Sequence, residues 1–308
     1  MDKIIKYIKN NHIIFSLFFI ICIFFISAVQ TSGDTYWFTS IGRDVWQNKN
    51  IPTQAIHTYG VADKNFNSVE WISGLIYFFF VSTFGINGLL IVRVLLAIST
   101  LYFTYKTFRL FTNNPLALST LTAFIAYILS ARTDDRPETF SYLFLSILNF
   151  VCFNYLYKHN FSRLFYVLPL IFLVWPQTHP FAILGVVLFS FFSGVVFLEK
   201  VINKTTPKNL LNFLIIYGLS LFAALVQYKK TFIFLEVTDL AGKYTEFGTL
   251  KDRIMFTEGV DFLNQIPIEI YAYFLFSITY FSILIIYLKK TLPNFTLAFA
   301  RQIFYIGL

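Results

Sequence analysis

The chain has 308 residues, of which 57% are hydrophobic and only 13% charged, with a formal net charge of +8. A water-soluble globule carries roughly a quarter charged residues, so this composition excludes one and points to a polytopic membrane protein. The Lys and Arg residues are scattered between apolar runs, not gathered into the stripe that a phosphate-tracking groove needs, which argues against nucleic acid as a partner.

Lys3, Lys6 and Lys9 precede an apolar run from about His12 to Val29. The run is longer than a signal-peptide core and no small-x-small cleavage site follows it, so it reads as a retained signal anchor. Cys22 and Cys152 both fall inside apolar runs, which indicates neither a disulfide framework nor a thiolate metal site. Behind the first span lies a polar loop holding Asp34, Asp44, Asp63 and Glu70. Within it, Ser32-Gly33-Asp34 leads into a helix expected over Thr35 to Gln47, with Trp37, Ile41 and Val45 at i, i+4 and i+8. That stripe suits a helix lying on a membrane surface. Asp34 reads either as the cap that accepts the first-turn amide bonds or as a chemical group that the same cap holds rigid. A second helix is expected from near Ser68, with Ile72, Leu75, Ile76, Phe79 and Phe80 on its greasier side. At its head, Glu70 complements the helix dipole and Trp71 reads as an interfacial anchor.

Candidate spans cover roughly 12–30, 86–108, 114–131, 139–157, 164–177, 180–198, 209–227 and 267–288, with an incomplete one from 292 onward. The expected fold is therefore an all-α transmembrane bundle of about nine spans, because lipid offers no partner to unpaired backbone groups. A membrane barrel would show short alternating segments instead. The apolar run 71–85 falls short of the roughly 20 residues that cross hydrocarbon. If it stays in the interface, the loops with Lys3, Lys6 and Lys9, Lys106 and Arg109, Lys158 and Arg163, Lys200 to Lys208, and Lys289 and Lys290 share one side. That side has only Asp2 and Glu199 as acids. The positive-inside rule then puts the N-terminus in the cytoplasm and loops 31–85, 132–138 and 228–266 outside. The chain stops at Leu308 within an apolar run with Arg301 in its middle, so residues 1–308 read as one membrane domain truncated at its C-terminus.

Two further segments carry chemistry. Arg132-Thr133-Asp134-Asp135-Arg136-Pro137-Glu138 puts five charges at the outer mouth between two spans, which is expensive at the edge of hydrocarbon unless they pair or serve a ligand. The plain reading is a solvated turn broken by Pro137. The chemical one is that guanidinium groups beside carboxylates offer what a phosphate ester and a general base need together. Trp175-Pro176-Gln177-Thr178-His179-Pro180 breaks two apolar runs. Its prolines explain a re-entrant turn, while His179 could donate to a phosphate or hydroxyl. No phosphate-cradling glycine loop, paired-His metal motif or Gly-x-Ser-x-Gly elbow is present.

With these residues in view, the chain resembles the C-type glycosyltransferase superfamily, polytopic enzymes that use lipid-phosphate sugars, such as protein O-mannosyltransferases and the lipid A aminoarabinose transferase. It is most similar to their little-characterised bacterial branch. The resemblance rests on Gly33-Asp34-Thr35-Tyr36-Trp37-Phe38, Ile41-Gly42-Arg43, Ile51-Pro52, Val69-Glu70-Trp71-Ile72, Arg136-Pro137-Glu138 and Leu173-Val174-Trp175 with His179, in family order over residues 30–185. It implies surface helices in the first outer loop, a catalytic or metal-binding acid at Asp34, and a second acidic contribution from the Asp134 to Glu138 cluster. The family's Asn-x-His-Gly after the Trp is replaced here by Pro176-Gln177-Thr178-His179-Pro180.

The expected function is transfer of a sugar from a polyprenyl-phosphate donor to an envelope acceptor, on the outer face of a bacterial inner membrane. Asp34 would be the general base or help hold a divalent cation, with Glu70 and Asp135 orienting acceptor or metal. Arg132 and Arg136 would meet the charge on the departing phosphate, and Glu138 and His179 complete the substrate-binding set. The rivals are a transporter or lipid flippase, which would place ionisable residues in mid-span, and a non-catalytic envelope-assembly subunit.

Overall fold

The computed structural model describes residues 33–52, 70–130, 135–158, 163–202 and 210–225, and among these every regular element is a helix. The expected spans at 12–30, 267–288 and from 292 onward lie outside the described residues, as do Arg132 and Asp134. The helices in chain order are α1 (Gly33–Asn48), α2 (Trp71–Phe84), α3 (Asn87–Phe111), α4 (Pro115–Ser130), α5 (Glu138–Lys158), α6 (Leu168–Val174), α7 (Ala182–Ile202) and α8 (Leu210–Leu225). Short 3-10 turns, Arg163–Val167 and Trp175–Gln177, flank α6. The chain divides into two compact units, one of residues 1–190 with 212–240 and one of 191–211 with 241–308; the packing and the site described below belong to the first.

Local chemistry sets the boundaries. Lys49, with φ of 52°, follows α1 in the left-handed region, and Pro52 comes soon after. Gly85 ends α2 with φ of 63°, a conformation that a Cβ would strain. Pro115 opens α4 at a position where its missing N–H costs nothing, and the Asn114 side chain accepts the Ala117 amide. Among the described residues two helices, Asn87–Phe111 and Glu138–Leu156, are long and apolar enough to cross a membrane. Other apolar stretches, including Trp71–Phe84 and Arg163–Gln177, are shorter. At about 1.5 Å per residue, α2 falls well short of a hydrocarbon core. Over the expected span 164–177 the helical run Arg163–Gln177 is a seven-residue helix flanked by two 3-10 turns, with Pro169 and Pro176 each removing a backbone donor.

Helix α1 packs on α2 with backbone in contact. A Cβ on Gly42 would run into the Gly74 carbonyl, and one on Gly74 into the Phe38 carbonyl. The face expected to lie on a membrane surface is therefore a packing face: Thr35, Phe38, Ile41 and Val45 are buried, while Tyr36 and Trp46 on other faces are exposed. On α2, Ser73, Gly74 and Tyr77 are buried, since small residues are what allow close approach to α1; of its greasier side, Ile76 and Phe80 pack against the core and Phe79 is exposed.

Helices α3 and α5 lie side by side in parallel, joined by Phe103 against Phe150 and Phe111 against Phe153 further along from their N-terminal ends. Phe38, Tyr77, Leu89, Val92, Leu96 and Phe140 form a core shared by α1, α2, α3 and α5. A second apolar cluster of stacked rings sets Phe172 of α6 on Phe189 of α7, and Phe213 of α8 on Tyr155 of α5 and Phe165 of the turn before α6. Outward faces are apolar too, with Phe79, Leu95, Phe124, Val187 and Phe222 exposed. Polar groups such as Arg93, Thr100, Asp135 and Ser141 are instead turned inward.

Candidate functional site

The N-terminal ends of α1, α2 and α5 meet the turn that follows α6. Two hydroxyls hold this junction: Thr35 Oγ1 donates to the Asp135 carbonyl at 3.0 Å, tying α1 to the residues before α5. Ser73 Oγ donates to the Glu70 carbonyl at 2.7 Å and the Thr178 carbonyl at 3.2 Å, tying the start of α2 to the turn after α6. Asp34, Glu70, Asp135, Arg136, Glu138 and His179, distant in sequence, are thereby brought to one end of the bundle.

At the deepest level, Arg93 from α3 meets Asp135. Its Nε and Nη2 both lie 3.0 Å from Asp135 Oδ1, and the side chains are 6% and 0% exposed. A buried charge needs such a partner. Asp135, expected to orient acceptor or metal, pairs with Arg93 inside the protein.

The rim is built differently. Asp34 lies in the first turn of α1 rather than at its cap, and its Oδ2 is 3.5 Å from Arg136 Nη2, with Asp34 exposed and Arg136 partly buried. The pair joins the start of α1 to the residues before α5. Glu138 follows in the first turn of α5.

Between rim and core sits Glu70. It precedes α2 without making a side-chain cap, so its carboxyl is available for other work. His179 Nε2 is 3.6 Å from Glu70 Oε1. Burial, then the charges of Glu138 and Asp34, push Glu70 up to about 8, and burial pushes His179 down to about 4. At neutral pH the contact therefore joins two uncharged groups and is not an ion pair.

His179 is itself held from behind. Its Nδ1 accepts the Phe181 backbone amide at 3.2 Å and lies 3.3 Å from Ser141 Oγ. Ser141 Oγ in turn accepts the Trp175 indole N–H at 2.8 Å. Trp175 is fixed by Phe144 and Phe172 around its ring and by Gly185, where a Cβ would strike the indole.

The sequence-derived set thus divides by depth. Asp34, Arg136, Glu70, Glu138 and His179 share one junction, Asp135 lies beneath it, and Arg132 is outside the described residues. Arg93, Ser141 and Ser73 are additions. Arg93 had one legible signal, a lone charge in an apolar run with no partner near in sequence; the two serines had none. Among the described residues no three His, Cys, Asp or Glu side chains converge as a metal-binding group. What remains is a set of carboxylates in unlike settings, one in solvent against a guanidinium and one enclosed beside a neutral imidazole. Such a set can accept a proton at one point and donate one at another. Comparison of the chain with family models, with curated proteins and with solved structures finds no match.

Proposed function

We propose that the protein is a membrane glycosyltransferase that moves a sugar from a polyprenyl-phosphate donor to a hydroxyl of an envelope acceptor, at the outer face of a bacterial inner membrane. The observation that carries the reading is the meeting of Asp34, Glu70 and Glu138 with Arg136 and His179 at one end of a helical bundle whose outward faces are apolar. A lipid-borne donor reaches such a site along the membrane plane, so no nucleotide-binding loop is needed. The full chain in this reading has about nine spans, an N-terminus in the cytoplasm, and the junction outside.

Asp34, at the rim, takes the proton of the acceptor hydroxyl as its oxygen bonds to the anomeric carbon. The bond from that carbon to the phosphate oxygen breaks, and the electron pair leaves with the phosphate. Arg136 meets the charge that develops there. Asp135 acts only through the backbone it anchors.

The test is transfer of radiolabelled sugar from polyprenyl-phosphate hexose and pentose donors in native membranes, comparing wild type with Asp34→Asn. Transfer that survives the substitution undiminished removes Asp34 from the chemistry. Cysteines placed at 106 and 200 should resist labelling from outside; labelling there overturns the topology. The buried Arg93–Asp135 pair favours one other reading, a transporter, because such pairs line pathways through membranes. Flux of lipid-linked sugar across proteoliposomes, with no label passing to acceptor, would select it.

A further inference from the structure

We propose that Thr35 is a positioning residue of this site: its buried hydroxyl, bonded to the Asp135 carbonyl, sets the spacing between Asp34 and Arg136 across which acceptor hydroxyl and donor phosphate meet. The inference rests on the glycosyl-transfer reading and deepens it.

Two dipeptides face one another here, Asp34-Thr35 at the start of α1 and Asp135-Arg136 just before α5. Thr35 Oγ1 donates to the Asp135 carbonyl at 3.0 Å in the interior, and Asp34 Oδ2 lies 3.5 Å from Arg136 Nη2 at the rim. The contacts are adjacent rungs, one buried and one reaching water. An exposed ion pair is screened and stabilises little, whereas a buried carbonyl deprived of its donor is costly. The inner rung therefore fixes how far apart the two dipeptides stand. The outer rung, which carries the chemistry, inherits that spacing.

The Asp135 side of the inner rung is held from two directions. Its carboxylate meets the Arg93 guanidinium of α3 at 3.0 Å. The next carbonyl, that of Arg136, accepts the Thr139 backbone N–H at 3.2 Å and Thr139 Oγ1 at 2.8 Å, both from α5. On the other side, the close contact of α1 with α2 at Gly42 lies about two turns beyond Thr35, so the tie nearest Asp34 is the Thr35 hydroxyl. That hydroxyl is used unlike those of Thr39, Thr100, Thr104, Thr107 and Thr122. Each of these donates to the carbonyl four residues back in its own helix, a bond that joins no second element. Thr35 donates to a residue 100 positions away.

Spacing matters because Asp34 and Arg136 act on one pair of substrates. Asp34 takes the proton of the acceptor hydroxyl as its oxygen bonds to the anomeric carbon. Arg136 meets the electron pair that leaves with the donor phosphate as the old bond to that carbon breaks. A base serves only within hydrogen-bond reach of its proton, and a misplacement of about 1 Å costs on the order of 10²-fold in rate. Loss of the inner rung lets Asp34 drift from Arg136 while every reacting group is still present.

The experiment has two arms, both on the full chain in native membranes. The first reads kcat and donor KM for transfer of radiolabelled hexose and pentose from polyprenyl phosphate. Thr35→Val keeps the branched shape without the hydroxyl and should lose about 10²-fold in kcat with KM nearly unchanged; Thr35→Ala repeats the loss should the valine variant fail to assemble. Thr35→Ser restores the hydroxyl and should restore the rate. Thr122→Val gives up a buried hydroxyl bond within α4 and should transfer as wild type does. The second arm needs no donor: Asp34→Cys and Arg136→Cys are combined, and the rate at which short bis-methanethiosulfonate reagents bridge them is measured. Bridging should be fast with Thr or Ser at 35 and slow with Val or Ala. Full transfer by Thr35→Val, a serine variant as impaired as the valine one, or bridging equal in every background overturns the inference. Absence of transfer by wild type, with bridging that still depends on the hydroxyl, overturns the glycosyl-transfer reading and leaves Thr35 as the residue that sets the spacing.

Discussion

The Arg93 guanidinium and the Asp135 carboxylate lie 3.0 Å apart with side chains 6% and 0% exposed, linking α3 to the residues that start α5. Removing one member of a buried pair leaves the other charge without its counterpart, at a cost of about 3–5 kcal/mol. Arg93→Met and Asp135→Leu should each lower the unfolding midpoint strongly in detergent or nanodiscs. The double variant should recover much of the loss, because an apolar pair of similar volume is often neutral. Equal or additive losses in the double variant would show that the pair is not coupled.

How much of this was legible in the sequence depends on what each feature needs. The ends of α3, α4, α5, α7 and α8 fall within a few residues of the expected spans, because apolar runs and their breakers act locally. Pro115 and Gly85 state their own roles. The inward face of α1 was misjudged because Trp37, Ile41 and Val45 are apolar at helical spacing, and spacing alone does not say whether lipid or protein covers a stripe. The buried face is decided by Gly42 and Gly74, whose small size has meaning only when paired across two helices. The Arg93–Asp135 pair and the Trp175–Ser141–His179 chain join residues tens of positions apart, and no local pattern announces them. By contrast, Asp34 and Arg136, both singled out as charges bordering apolar runs, meet at 3.5 Å.

The glycine contact between α1 and α2 gives a second prediction. A methyl at Gly42 would meet the backbone of Gly74 and Leu75, and one at Gly74 would meet the Phe38 carbonyl. Backbone cannot step aside as a flexible side chain can, so Gly42→Ala and Gly74→Ala should each destabilise by about 1–3 kcal/mol through overpacking. Gly218, in α8, has open space where its Cβ would be. There Gly218→Ala should stabilise by about 0.5–1 kcal/mol from helix propensity alone. Thermal melts of the three variants under one condition check the contrast in sign.

Trp175 offers a third. Trp175→Phe keeps an aromatic ring between Phe144 and Phe172 but removes the N–H that Ser141 accepts. The loss of one buried hydrogen bond, with a partner left unsatisfied, should cost about 1–3 kcal/mol. Trp175→Ala removes the ring as well and should cost about 3–5 kcal/mol. Equilibrium unfolding that finds the two variants alike would place all of the stabilisation in the hydrogen bond.

The pair Glu70 and His179 predicts how stability follows pH. Glu70 is raised from 4.5 to about 8, so between those values the folded chain binds the proton more tightly than the unfolded chain does. Stability from this group is complete below 4.5 and is lost as pH rises toward 8. His179 is lowered from 6.5 to about 4, so its contribution is complete above 6.5 and is lost as pH falls toward 4. From 4.5 to 6.5 the two slopes oppose one another. Above 6.5 only the Glu70 slope remains, and the midpoint should fall between pH 6.5 and 8 by an amount equivalent to about 2 kcal/mol, taking ~1.4 kcal/mol per pH unit. Glu70→Gln keeps the shape and cannot ionise, so its midpoint should be flat across that window while His179→Gln retains the wild-type fall. A wild-type fall that His179→Gln abolishes would mean instead that Glu70 is ionised in the folded protein with His179 as its charged partner, because a His held charged by a partner also loses its stabilisation as pH rises.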